Sequence, residues 1–146
     1  MTRLHFACSA MSVVTARRLT RDWCHDRALT DTVSEEMSLL ASEVVAAGLR
    51  CYPRTAVMEL SWEDPEHAQV AIEFRGTRLA RRGTWLPTLP RASVVLFEQF
   101  ATAWGRQATP RGIRHWFVVD TEPCGPKPGE PSRARRTVRT VLRPTR

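Results

Sequence analysis

The stretch that most constrains the fold is residues 56–74. It reads "AVMELSW", then "EDPEH", then "AQVAIEF". Each apolar run is too short for an ordinary helix and is bounded by turn-forming residues, the first of them by "YPRT". Together they predict an antiparallel hairpin. A lone hairpin is marginal in water, so other parts of the chain must cover its apolar face.

Helical segments are the predicted cover. "LHFACSA" reads as a short first strand. In "SVVTARRLTRDWCHDRAL", Val13, Ala16, Leu19 and Trp23 recur at helical spacing, and the arginines fall mostly on other faces. Thr32 with Glu35 three residues on forms a capping box, with Asp31 as a rival cap, and predicts a second helix over 33–49. Val33, Met37, Leu40, Val44 and Gly48 form its inward stripe. "RGTRLARRGTWLPTLPR" reads as an irregular loop. "ASVVLFEQFATAW" returns to helical spacing through Val94, Phe97, Ala101 and Trp104, with Gly105 as its stop. "GIRHWFVVD" is a last, buried strand. The expected fold is α+β, a two-layer α/β sandwich with a mostly antiparallel sheet and helices on one face.

Length and composition bound the rest. With 146 residues, 42% apolar and 25% charged, the chain predicts one soluble domain with a real core. No apolar run reaches the ~18 residues of a membrane span. "MTRLHFACSAMSVV" fits a signal peptide poorly, so a cytoplasmic protein is expected. Cys8, Cys24, Cys51 and Cys124 have no metal-site spacing and outline no disulfide framework. His5, His25, His67 and His115 are equally scattered, and no metal site is expected. Only one lysine accompanies 21 arginines, the usage of a bacterial genome rich in G and C.

The net charge of +7 is unevenly placed. Residues 121–146 hold most of it, along with half of the chain's 10 prolines. This segment predicts a disordered basic tail after a domain of residues 1–120. Val138, Val141 and Leu142 fall at helical spacing among its arginines. It could contact nucleic acid, an anionic lipid surface or an acidic partner, but it carries no aromatic residue for base stacking. Arg75, Arg78, Arg81, Arg82 and Arg91 form a second basic group, able to hold phosphate or an acidic partner or simply to be solvated. Trp85 sits on the Pro-rich loop among them, as a partner anchor or a cover for the core edge.

Five stretches taken in order resemble one family. "SVVTARRLTRDWC", "LLASEVVAAGLRC", "QVAIEFRGTR", "RASVVLFEQFATAWG" and "GIRHWFVV" are similar to segments of the histidine-kinase-like ATPase domain, in its anti-sigma-factor serine kinase form. The resemblance covers nearly all of residues 5–120. It implies ATP and magnesium as ligands, a protein serine as phosphate acceptor, and a sigma factor or an anti-sigma antagonist as partner.

The departures from that family bear on function. Its magnesium-binding Asn falls one turn after the conserved-type Glu, and this chain has Ala47 there, one turn after Glu43. A methyl group cannot ligate a hard cation. The family's adenine-binding Asp precedes a Gly at a strand end, where this chain has Arg75 before Gly76. A guanidinium only donates. Arg91 and Ser93 stand where the family's phosphate-binding glycines would be. Glu43 then reads as the remnant of a base, or as a helix carboxylate that is solvated or paired with Arg50 or another neighbour. The expected function is a non-catalytic, partner-binding regulator of bacterial transcription with a degraded nucleotide site. Two alternatives stand beside it. One is an active serine kinase of the same type, with Glu36, Glu43 or Asp120 as its acids. The other is a nucleic-acid-associated protein acting through its tail.

Overall fold

A computed structural model of the chain describes residues 1–77 and 89–121. The expectations about Arg78, Arg81, Arg82, Trp85, Cys124 and the basic tail fall on residues outside that set. The described elements are β1 (Thr2–Ala7), α1 (Ser12–His25), α2 (Asp31–Leu49), β2 (Thr55–Asp64), β3 (His67–Arg75), α3 (Arg91–Phe100), β4 (Ala103–Thr109) and β5 (Gly112–Asp120). The strands form one sheet in the order β1-β2-β3-β5-β4, and every pairing is antiparallel. The fold is α+β. No described helix is long and apolar enough to cross a membrane.

The hairpin forms where the two apolar runs predict it. Ala56 lies opposite Phe74, Met58 opposite Ile72 and Leu60 opposite Val70, and all six side chains are buried on the helix-covered face. A register shift between Trp62 and Asp64 bends the strand into its turn, which the Asp64 carboxylate closes by accepting the Glu66 N–H at 2.8 Å. β5 carries the alternation onward, with Phe117 opposite Val70 and Val119 opposite Ala68.

α2 is the central helix. Its predicted stripe is buried throughout, from Val33 to Gly48, and Ser38, Ala41, Ser42 and Val45 are buried too, so α2 is covered on more than one side. Its cap is Thr30, not Thr32 or Asp31: the Thr30 hydroxyl accepts the Val33 N–H at 3.3 Å. Thr30 has the extended backbone a cap needs, whereas Asp31 and Thr32 already lie inside the helix. Near the other end, a side chain at Gly48 would overlap the ring of Phe74. The missing Cβ lets α2 settle directly on β3.

The third helix corrects the expectation in one respect. It ends at Phe100, and the chain turns into a fifth strand, β4, which the helical spacing missed. Ala101 and Trp104 are therefore not on a helical stripe. Trp104 reaches the core from the strand, stacked on Phe97 with ring centroids 5.2 Å apart. Gly105 is not a helix stop but lies within β4, where a Cβ would come within 2.8 Å of the Trp116 ring.

α1 also ends early. The Ala28 N–H bonds to the His25 carbonyl at 3.0 Å and the Leu29 N–H to Cys24 at 3.1 Å, the paired closure that usually has glycine at its left-handed residue. Here that residue is Ala28, with φ of 53°. Replacing it should relieve local strain. Ala28→Gly is expected to raise stability by about 1 kcal/mol, read as a higher urea midpoint; an unchanged or lower midpoint would refute this account of the turn.

Candidate functional site

Two of the residues singled out in the sequence, Glu43 and Ser93, meet where α2 faces α3. α2 presents Glu43 on the side towards α3, whose first turn contains Ser93. Ser93 is buried, and its hydroxyl donates to the Glu43 carboxylate at 2.6 Å across 50 positions of sequence. Glu43 is half-buried and not simply solvated. Its partner is Ser93; Arg50, one of the partners the sequence allowed, is the exposed C-cap of α2. A short bond from a hydroxyl to a carboxylate is among the stronger hydrogen bonds a protein makes. It ties the two helices together.

The other positions do not join that pair. Ala47 lies one turn further along α2 and offers no oxygen. Arg91 opens α3 and is exposed. Ser93 itself belongs to the helix and not to a loop. Arg75 is turned to the opposite face of the sheet. Its guanidinium is bound to Glu73 at 2.6 Å, and Glu73 also accepts the Thr109 hydroxyl at 2.9 Å. This pairing helps hold the Glu73 carboxyl below its usual range, against the opposing effect of its partial burial. Gly76 then turns the chain with φ of 69°.

Three further polar residues, buried or half-buried, were given no role by the sequence. Thr77 is buried, and its hydroxyl has no hydrogen-bond partner among the described residues. His115 lies on the inner face of β5, edge-on to Phe74 at 5.8 Å, with Arg106 opposite it on β4. Burial, aided by the nearby Arg106 charge, pushes the His115 pKa down to about 3, and burial lowers that of Arg106 as well. The alternation of β5 could have placed His115 inside, because it shares a face with Ile113 and Phe117. Arg106 was hidden by reading the stretch before it as helix.

The thiols supply no further chemistry here. Cys8, Cys24 and Cys51 are free, and burial raises the pKa of each, which favours the unreactive thiol. Among the described residues no group of three or more His, Cys, Asp or Glu side chains is placed to hold a metal ion. Among the described residues, the contact between α2 and α3 therefore offers one carboxylate and the hydroxyl that engages it. Comparison with protein-family models finds no match for the chain, and comparison with curated proteins finds none either.

Two outcomes follow from this geometry. In a double-mutant cycle, Glu43→Gln and Ser93→Ala should each destabilise the fold, with a coupling of about 1.5 kcal/mol. A coupling near zero would show that the bond carries no weight. The second outcome concerns acid. An unfolded histidine titrates near ~6.5, so below that pH the unfolded chain binds a proton that folded His115 refuses until about 3. Stability should fall as pH drops through that window, by up to about 1.4 kcal/mol per pH unit. His67 works the other way, since its bond to Asp64 raises its pKa, but it lies near the surface and contributes less. Urea midpoints followed from about pH 7 to about pH 4.5 should fall more steeply for the native chain than for His115→Leu. Equal slopes would exclude His115 as the cause.

Proposed function

We propose that the chain is a non-catalytic regulatory domain that binds a protein partner. In this reading it has the histidine-kinase-like ATPase fold, resembles anti-sigma-factor kinases, and carries a degraded nucleotide site. The partner is a sigma factor or an anti-sigma antagonist, and the setting is bacterial transcription control. The order of elements and the meeting of α2 with the start of α3 support the fold assignment.

The observation that carries the functional reading is the bond between Glu43 and Ser93. A general base must be free to accept a proton from its substrate, within hydrogen-bonding reach of it. This carboxylate is spent on holding α3 against α2. Ala47, one turn on, offers no second oxygen ligand for a magnesium-bound phosphate. What persists is a scaffold, and a scaffold suits docking.

Calorimetric titration with ATP and magnesium tests this directly. The native chain is expected to give no binding heat, and Ala47→Asn alone should not restore binding while Ser93 still holds Glu43. Magnesium-dependent binding by the native chain would overturn the proposal and make the serine kinase the better reading.

A further inference from the structure

The turn between α2 and β2 alternates strictly. Arg50, Tyr52 and Arg54 are exposed, whereas Cys51 and Pro53 between them are buried. The two inward residues pin the turn, and the three outward ones present a cation, an aromatic ring and a second cation in a row. The backbone is held at several points. The Cys51 N–H bonds to Gly48 at 3.1 Å and the Tyr52 N–H to Leu49 at 3.0 Å. Arg54 is clasped between two strand ends, donating its N–H to Arg75 and accepting that of Cys8, both at 2.9 Å.

Two features of this turn add nothing to the core, although left-handed Tyr52 does close α2 as Ala28 closes α1. Tyr52 is 76% exposed, so its ring adds little to the core. It also sits at φ of 51°, a left-handed conformation that bulky side chains rarely adopt. A strained aromatic displayed to solvent is a reason to look for a ligand. The flanking guanidiniums are free as well: among the described residues, no carboxylate lies within ion-pairing distance of Arg50 or Arg54, although Arg3, Arg75 and Arg114 all have such partners.

The geometry points to single-stranded nucleic acid as the ligand, with Tyr52 stacking on an unpaired base and Arg50 and Arg54 holding the phosphates on either side. Single-strand binding combines a positive track with a ring on which any base can stack. An acidic protein could use the same cations, but a protein interface is built around an apolar centre, and among the described residues this turn exposes no large apolar side chain beside the ring. This turn is the reverse, with charge on both sides of one ring. The net charge of +7 would draw a polyanion to the chain as a whole. The basic tail lacks an aromatic residue, and this turn supplies one.

Fluorescence anisotropy of a labelled oligothymidine with the full chain tests the assignment. Tyr52→Asn removes the ring but keeps a residue that accepts the left-handed backbone, and it should weaken binding about tenfold at fixed salt. Tyr52→Phe should bind like the native chain. Arg50→Gln with Arg54→Gln should weaken binding and flatten its salt dependence. An unlabelled duplex should be a poor competitor, because its bases are already stacked. The inference is overturned if the oligonucleotide does not bind, if Tyr52→Asn binds as tightly as the native chain, or if polyglutamate competes as well as the oligonucleotide. None of these readouts depends on ATP, so this inference and the proposed function stand or fall separately.

Discussion

The seating of α2 on the sheet is the contact on which the rest depends. Phe74 projects from β3 into the space left open by Gly48, and the ring fills the place where any larger residue would put its side chain. That close approach brings Met37, Leu40 and Val44 onto the hairpin face, and each is almost fully buried. A buried side chain of this size contributes roughly 1.5–3 kcal/mol, so the group outweighs any single polar contact in the molecule. It also sets the height of α2 above the sheet. Glu43 and the start of α3 inherit their positions from it.

The two faces of the sheet solve different problems. The helix-covered face is mostly apolar, with Arg106 on the edge strand β4 and His115 beside it on β5. The other face is tied by ion pairs that cross strands. Glu59 on β2 bonds Arg3 on β1 at 3.3 Å and Arg114 on β5 at 2.8 Å, the second reaching across β3, where Ala71 is small. Such pairs on a partly exposed surface contribute little each, but they fix which strands lie together. Arg75 is used here, paired with Glu73, and not at the contact between α2 and α3. A residue that looked like part of a ligand site is part of the sheet.

Much of the fold was legible. The hairpin and β5 could be read because alternation and turn residues agree, and α2 because its inward stripe has an unbroken helical period. The stretch "ASVVLFEQFATAW" failed for a definite reason. Its apolar residues fit a helix up to Phe100, and Trp104 then falls at helical spacing although it arrives from β4. Trp104 stacks on Phe97 from a strand much as it would have from a helix, so the predicted contact exists while the predicted element does not. Local pattern could not separate the two. Only the pairing of Ala103–Thr109 with β5 decides it.

The candidate site was legible in its residues but not in its arrangement. Sequence alone determined that position 47 is a methyl group with no ligand oxygen, that Glu43 stands on α2, and that a cation, a ring and a cation alternate at Arg50, Tyr52 and Arg54. These are facts of chemistry and short-range spacing. Tertiary structure alone decided that Ser93, 50 residues away, takes the Glu43 carboxylate, that Arg75 faces away from that contact, and that Cys51 and Pro53 turn inward so that Tyr52 is displayed. Those outcomes depend on which side chains the packed layers bring within a few ångströms of each other, and a hydrogen bond or an ion pair exists only at that range.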